Sequence, residues 1–245
     1  GPDSYERALQ GMIDDGRSLR CVEYAGSWAP MKYPWHVLAA TNHFLDRHRG
    51  HIAASAVISE RATIEGEVIV DEGARVLEGA VVRGPCYIGR DSVIGNHVLV
   101  RDYAHIGADC VVGAGTEIKH SYVGDGCWFH RNYVGDSVVG NHCSLGAGTV
   151  TANLRFDGGE VSVYDDRGGQ GTGMDKLGAM IGPGSKTGVN VSIMPGVKIG
   201  PGSVVGPHVP VRRNVAPNST LFLDADGAVV ERRARPEEGE KGQVV

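Results

Sequence analysis

The chain has 245 residues, of which 41% are hydrophobic and 22% are charged, and its formal net charge is −5. This length suffices for one large domain or two small ones, and the mildly acidic balance excludes a general electrostatic attraction for nucleic acid. No run of about 18 apolar residues occurs, so no membrane span is expected, and five scattered cysteines without a CxxC pair favour reduced thiols in the cytoplasm.

Residues 1–49 differ in pattern from the rest and are expected to form a short α/β cap for one end of the fold. SYERALQGMIDDG predicts a helix with Ser4 as N-cap and Gly16 as stop. LRCVEYAG (19–26) predicts a strand, and PWHVLAATNHFLDRH predicts a second helix, with Pro34 in its first turn.

From Ile52 onward, isoleucine or valine recurs at every sixth position as far as Ile118. The same six-residue period returns at Ile181 and continues to Val211, with Thr187 in one apolar position. Such a hexapeptide period predicts a three-sided coil, in which each hexad supplies one short strand and one corner. The alternative, a β-sandwich with turns every 8–12 residues, does not keep one apolar phase over so long a stretch.

The period is interrupted after Ile118, and residues 152–178 hold no hexad phase. An insertion of this kind in a repeat fold projects from a corner as a loop or hairpin, and such loops tend to carry function. We expect the β-helix to span residues 50–222 with this extruded loop. Residues 223–245 are polar and charged, and are expected to be mostly disordered.

The run HRNYVGDSVVGNHCSLGAGTVTANLRFD, followed by KLGAMIG and GVNVSIMPGVKIG, resembles the acetyltransferase half of the archaeal-type bifunctional sugar-1-phosphate nucleotidylyltransferase/amino-sugar-1-phosphate N-acetyltransferases. The resemblance covers roughly residues 30–222 and implies a left-handed parallel β-helix. YPWHVLAATNHFLDR resembles the end of the family's nucleotidylyltransferase domain. The glycine-rich GxGxRxxP signature of that domain is missing, so no nucleotidyl-transfer site is expected in this chain.

The resemblance implies a set of site residues. His130 matches the family's catalytic histidine, and an imidazole suits the removal of a proton from an attacking amine at neutral pH. Tyr133 and Asn153 match residues that contact the sugar. Arg101 and Lys119 match residues that bind the sugar phosphate; they lie eighteen residues apart, which is one coil, so they are expected to stack on one face.

Further roles follow from the same resemblance. Ala147 is expected to offer its backbone N–H to the thioester side, where an oxyanion develops. Lys186 and Lys198 are expected to meet the phosphates of acetyl-CoA, the implied co-substrate, and no metal is expected. Ser144 stands where bacterial relatives often have asparagine. The lysines that often follow ANLRFD are absent, which leaves Arg155 as the nearest cation there.

These observations favour acetyl-CoA-dependent N-acetylation of glucosamine-1-phosphate or galactosamine-1-phosphate by a cytoplasmic homotrimer. A second reading is a non-catalytic, trimerising and regulatory portion of a nucleotidylyltransferase, which the missing loop lysines favour. A third is a zinc carbonic anhydrase, another enzyme on this kind of fold. That enzyme needs converging histidines with HxxxxH spacing, which occurs here only at His43 and His48 in the leading helix.

Overall fold

The computed structural model describes residues 4–165 and 168–233, and the chain divides into two compact units at Pro30. The first unit holds helix α1, Ser4–Asp14, which is followed by Gly16 at φ +70 as predicted. The strand predicted at residues 19–26 is wrong. These residues are exposed and have no strand partner within the described residues, and a lone extended segment is not stable in water.

The second unit holds helix α2, His36–Leu45, and three parallel sheets that form the faces of a β-helix. Sheet A contains β1 His51–Ile52, β4 Val68–Val70, β7 Cys86–Ile88, β10 His105–Ile106, β13 Tyr122–Val123, β16 Val138–Val139, β21 Met180–Ile181 and β24 Lys198–Ile199. Sheet B contains β2 Val57–Ile58, β5 Arg75–Val76, β8 Val93–Ile94, β11 Val111–Val112, β14 Trp128–Phe129, β17 Ser144–Leu145, β22 Lys186–Thr187, β25 Val204–Val205, β27 Ser219–Leu223 and β28 Val229–Arg233. Sheet C contains β3 Thr63–Glu65, β6 Val81–Arg83, β9 Leu99–Arg101, β12 Glu117–Lys119, β15 Tyr133–Gly135, β18 Val150–Thr151, β23 Ser192–Ile193 and β26 Pro210–Val211.

The pairing register follows the hexapeptide period. Ile88 pairs with Ile106, eighteen residues later, so each coil contains three hexads and each sequence anchor stacks on the next. From Val70 onward these anchors fill the interior and are almost completely buried, whereas Ile52 in the first coil is 46% exposed. The parallel β-helix of hexapeptide repeats predicted from the sequence is therefore confirmed.

The interruption after Ile118 is a shortening of the corners and leaves the sheets continuous. Ile118 pairs with Val134, only sixteen residues later, because two corners are each one residue shorter than in the coil before. The corner HRN between β14 and β15 replaces GAGT, and the corner HS between β12 and β13 replaces DYA. The coil that contains His130 is therefore tighter than the coils before it, and its strands keep their place in the sheets.

The chain leaves the β-helix after β18 and returns at β21, and we call the intervening residues 152–179 the arm. At its base, Leu154 and Lys176 form an antiparallel bridge. Its outer part is a hairpin of β19 Ser162–Asp165 and β20 Gly168–Gly171. Val161 and Val163 of the arm are buried against α2, so the arm is packed onto the fold along part of its length.

Helix α2 lies on the side of the β-helix, against sheet A. Trp35 and Leu38 pack in one cluster with Leu177 of the returning arm and Met180 of β21. The expectation that residues 4–48 cover an open end is wrong for α2. The outward side chains of sheet A are apolar or aromatic at this level, as at Tyr122, and the apolar face of the helix is buried against them.

The sequence predicted a mostly disordered segment from residue 223, and this is wrong for residues 229–233. Strand β28 pairs antiparallel with β27 there, because Val229 and Val230 supply apolar side chains. A turn at Asp224 to Gly227, with Gly227 at φ +79, reverses the chain between the two strands. Residues 234–245 lie outside the described residues.

Four of the five cysteines lie in the interior of the β-helix, and their thiols should be protected from reagents. Cys86 is completely buried, and burial raises the pKa of its thiol to about 12. The thiols of Cys110, Cys127 and Cys143 donate hydrogen bonds to backbone carbonyls of the next coil. Cys21 is exposed.

Titration of the folded protein with a chromogenic disulfide should therefore release one equivalent of thiolate per chain rapidly, from Cys21. After denaturation in guanidinium chloride, all five thiols should react. A Cys21→Ser variant is the matched control and should lose the rapid phase alone. A rapid phase of two or more equivalents in the folded parent would contradict the buried positions.

Candidate functional site

The corner between sheets C and A carries a polar network centred on Asp136, whose side chain is 3% exposed. Lys119 Nζ lies 2.9 and 3.1 Å from its two carboxylate oxygens, and His120 Nδ1 lies 2.7 Å from Oδ1. The Nδ2 amide of Asn153, the second residue of the arm, also donates to Asp136. We call these four residues the Asp136 cluster.

The strand register explains why these residues meet. Lys119 ends β12 and lies one coil before Gly135, so the residues after each strand, His120 and Asp136, fall at the same corner. Both corner residues adopt positive φ, at 42° and 47°, which turns the chain sharply from sheet C to sheet A. The arm leaves the next coil at this corner, and this brings Asn153 beside Asp136.

His120 joins α2 to this cluster. A carboxylate accepts hydrogen bonds only, so Nδ1 of His120 carries the proton that is shared with Asp136. Nε2 then accepts from Asn42 Nδ2 of α2 at 3.2 Å. Burial alone would raise the pKa of Asp136. The hydrogen bonds from His120, Lys119 and Asn153 outweigh burial and hold that pKa below its ordinary value.

Tyr133 extends the cluster along sheet C. Its hydroxyl accepts a hydrogen bond from Asn153 Nδ2 at 3.2 Å. The ring reaches that far because it lies over Gly135, where a Cβ atom would come within 2.5 Å of the tyrosine oxygen. The structure therefore brings together three residues that the sequence predicted, Lys119, Tyr133 and Asn153.

Arg101 lies one coil before Lys119 and is paired with it in register, as the eighteen-residue spacing predicted. Its guanidinium contacts Glu117 at 2.7 Å and also Asp102. Both stacked cations thus already have carboxylate partners, Lys119 through Asp136 and Arg101 through Glu117 and Asp102. Arg155, farther out on the arm, is likewise paired with Asp157, and this pairing raises the pKa of Arg155.

His130 lies at the other end of β15, on the corner between sheets B and C. Its side chain is exposed and makes no hydrogen bond to any residue that the structure describes. Ala147 occupies the same corner one coil later, where Gly148 N–H donates to Arg131 O at 2.8 Å. The Ala147 N–H has no acceptor among residues 4–165 and 168–233, so it remains available to a ligand.

The remaining predicted residues do not join one site. Ser144 and Lys186 are neighbours on sheet B, where they are paired in register. Lys198 lies on sheet A, so the two lysines expected to meet one acetyl-CoA are on different faces. Twelve residues separate them, which is two hexads, and only multiples of three hexads return to the same face.

Sequence reasoning missed Asp136, His120 and Asn42. His120 directly follows Lys119, which it did identify, and Asp136 follows the paired residue Gly135 one coil later. A polar residue at two successive corners was the available signal. Within the described residues no group of three or more His, Cys, Asp and Glu side chains is arranged to hold a metal ion. No described helix is long and apolar enough to cross a bilayer.

The chain matches the family model for the bacterial transferase hexapeptide (six repeats) over residues 85–120 and 178–212. It is 36% identical, over 214 residues, to a bifunctional sugar-1-phosphate nucleotidylyltransferase/acetyltransferase of Sulfurisphaera tokodaii, covering 85% of this chain and 52% of the relative. The chain thus spans about half the length of the curated bifunctional relatives it matches.

A second relative is matched over most of its own length. The chain is 39% identical over 173 residues to an uncharacterized acetyltransferase, YaiX, of Escherichia coli, covering 70% of this chain and 74% of the relative. Among solved structures, a UDP-N-acetylglucosamine acyltransferase superposes with a TM-score of 0.50 at 20% identity, covering 70% of each chain. The latter likeness supports the fold alone.

The Asp136 cluster predicts a pH dependence of stability. A carboxyl whose pKa is lowered in the folded state stabilises it fully above the unfolded pKa, about 3.9, and loses that contribution as pH falls through the folded pKa. Asp136→Asn should therefore cost about 3–5 kcal/mol at pH 7 and distinctly less at pH 3. Urea unfolding at both pH values measures the two differences.

Asp109→Asn is the matched control. Asp109 also turns a corner at positive φ, 56°, but is exposed and lies between sheets A and B. Its substitution should change the free energy of unfolding by the same small amount at both pH values. If the free energies of unfolding of the parent and Asp136→Asn differ as much at pH 3 as at pH 7, the ionised state of Asp136 is contradicted.

Proposed function

We propose a function on the premise that this chain belongs to the hexapeptide-repeat acetyltransferases and corresponds to the acetyltransferase half of the archaeal bifunctional sugar-1-phosphate nucleotidylyltransferase/acetyltransferases. The proposed reaction is transfer of an acetyl group from acetyl-CoA to the amine of an amino-sugar 1-phosphate, glucosamine-1-phosphate or galactosamine-1-phosphate. The observation that carries the proposal is the meeting of Lys119, Tyr133 and Asn153 around Asp136, at the end of β15 opposite the His130 corner.

In this proposal the sugar lies along sheet C. Tyr133 and Asn153 contact its ring, and Lys119 with Arg101 binds the phosphate, since the two cations are stacked one coil apart. Because each cation already holds a carboxylate, the phosphate joins an existing charge network. Ser144 and Arg155 would make secondary contacts, from sheet B and from the outer arm respectively.

The proposed chemistry takes place at the corner of His130 and Ala147. The sugar amine attacks the carbonyl carbon of the thioester, and the His130 imidazole accepts the proton that the nitrogen loses. The Ala147 N–H, which has no acceptor among the described residues, donates to the oxyanion that develops. The oxyanion then collapses, the C–S bond breaks, and the His130 imidazolium gives its proton to the leaving thiolate, so coenzyme A departs as the thiol.

We also propose that the active assembly is a homotrimer. His130 stands on an exposed edge, and a thioester bound there needs a second wall to exclude water. Apolar side chains flank this edge on both faces, with Trp128 54% exposed on sheet B and Val150 39% exposed on sheet C. Burial of such side chains against a neighbouring chain favours association. On this basis Lys186, next to Ser144 on sheet B, is the better candidate than Lys198 for the coenzyme A phosphates.

The role of His130 is tested by His130→Ala. With acetyl-CoA and glucosamine-1-phosphate or galactosamine-1-phosphate, the parent should release free thiol, and the variant should be slower by about 10²–10⁴-fold in kcat because the base is lost. His51→Ala is the matched control, since His51 is an exposed histidine in the first coil. It should retain the parent rate.

Two outcomes would overturn this proposal in different ways. If His130→Ala is as fast as the parent, then His130 is not the base. If the parent releases no thiol and millimolar acetyl-CoA leaves its melting temperature unchanged, the second reading gains support. In that reading the chain is a non-catalytic trimerising portion of a nucleotidylyltransferase, and the carboxylate partners of Arg101, Lys119 and Arg155 favour it.

The trimer is tested by light scattering coupled to size exclusion. The parent should have three times the 25.9 kDa mass of the chain, and Trp128→Glu should lower the mass because it places a charge in the apolar contact. Trp28→Glu, at a tryptophan 79% exposed in the first unit, is the control and should leave the mass unchanged. A monomeric parent, or a Trp128→Glu variant that keeps the parent mass, would contradict the proposed contact.

A further inference from the structure

The buried carboxylate of Asp136 fixes the orientation of the groups around it. An ionised carboxylate accepts hydrogen bonds and has none to donate, so each partner must turn a donor toward it. Lys119 and His120 do so through Nζ and Nδ1. The side-chain amide of Asn153 has one donor end and one acceptor end, and Asp136 holds its Nδ2 end inward. The carbonyl Oδ1 of Asn153 is therefore turned away from the carboxylate.

The same amide also determines whether the Tyr133 hydroxyl donates or accepts a hydrogen bond to a ligand. Its second N–H donates to the Tyr133 hydroxyl oxygen at 3.2 Å. Both donors of Asn153 are thus used, and its Oδ1 accepts no hydrogen bond from any described residue. The Tyr133 hydroxyl, which has accepted one hydrogen bond, keeps its own O–H to donate. The site presents one acceptor and one donor side by side.

We propose that Asp136 is a positioning residue that sets this hydrogen-bond polarity, so that Asn153 Oδ1 accepts a hydrogen bond from one ring hydroxyl of the sugar. The Tyr133 O–H then donates to a neighbouring oxygen of the same ring. This inference rests on the proposed function and deepens it, because it states which way each hydrogen bond to the substrate runs. It requires a substrate with a free hydroxyl at that ring position.

The group that meets Asn153 is a hydroxyl because the amine belongs at the other corner. His130 precedes β15, whereas Asp136 follows it, and three residues of strand separate the two corners by about 10 Å. In a 2-amino-sugar 1-phosphate the amine and the phosphate are on neighbouring ring carbons, so the sugar bridges the two corners with its phosphate at Lys119 and its amine turned toward His130. With these two groups engaged, a ring hydroxyl is what remains to face Asn153.

Asp136 also holds the base of the arm at both ends. Asn153 begins the arm, and Gly178, where the arm returns, donates its N–H to the backbone carbonyl of Asp136 at 2.8 Å. Asparagine at position 136 has the same shape but carries an NH₂ group of its own. It can present a donor or an acceptor to Asn153, so the Asn153 amide is no longer held in one orientation. The polarity of the site is lost although its shape is kept.

Asp136→Asn tests this role because it should change KM for one substrate and not for the other. It should raise KM for the amino-sugar phosphate by about 2- to 10-fold, the loss of one hydrogen bond between uncharged groups, and leave KM for acetyl-CoA unchanged. Asp109→Asn, the same change at an exposed corner, should leave both constants at parent values. If Asp136→Asn also gives parent values, or raises both KM values alike, the proposal is wrong.

A second measurement on the parent alone decides the case if Asp136→Asn does not fold. Substrate analogues carry hydrogen or fluorine in place of each ring hydroxyl in turn, because fluorine can accept weakly but cannot donate. At the ring position that faces Asn153, both analogues should have a kcat/KM about 10- to 100-fold lower than that of the unmodified substrate. The protein group there accepts a hydrogen bond that neither analogue can donate. If the fluorinated analogue keeps the parent rate at every position, no protein acceptor is used and the proposal is overturned.

These outcomes separate the inference from the proposed function. A parent with no turnover of any amino-sugar phosphate overturns the proposed function, and the inference falls with it. A parent that turns over normally but does not distinguish hydroxyl from fluorine keeps the proposed function and overturns only the role of Asp136. In the folded Asp136→Asn variant, the discrimination between hydroxyl and fluorine should be smaller than in the parent.

Discussion

The parallel hydrogen-bond register between successive coils is the constraint on which the rest of the structure depends. Because one coil contains eighteen residues in its regular part, a residue and the one eighteen positions later lie one above the other, about 4.8 Å apart. Arg101 and Lys119 are stacked for this reason alone. Where the corners shorten, as between Ile118 and Val134, the register changes and different residue types reach the same corner. The Asp136 cluster is located in these shortened coils.

Much of the fold could be predicted from the sequence because few folds can bury an apolar side chain at every sixth position. The stack of Arg101 on Lys119 follows from their spacing as well. The separation of Lys186 from Lys198 also follows from spacing. Each hexad moves the chain to the next of the three faces, so residues two hexads apart lie on different faces and only residues three hexads apart share one. The strand predicted at residues 19–26 failed for a different reason. Its composition is compatible with a strand, but strands require a partner that composition does not reveal.

The Asp136 cluster could not be derived from the sequence. It depends on two corner residues with positive φ, on the position where the arm leaves the β-helix, and on an asparagine of α2, which lies 78 residues before its histidine partner. Contacts of this kind join segments that no periodicity relates. Individual residues of the cluster, such as Lys119 and Asn153, could be identified only through their resemblance to a family, and their orientation only from the structure.

The central claim is that one strand of sheet C joins two functional corners, with the base at His130 and the sugar contacts at Tyr133, Asn153 and Lys119. A crystal structure of the protein with an amino-sugar 1-phosphate and coenzyme A tests this claim most directly. The account predicts the sugar along β15, with its amine toward His130 and its phosphate toward Lys119. A sugar bound on another face, or with its amine at the Asp136 corner, would contradict the account.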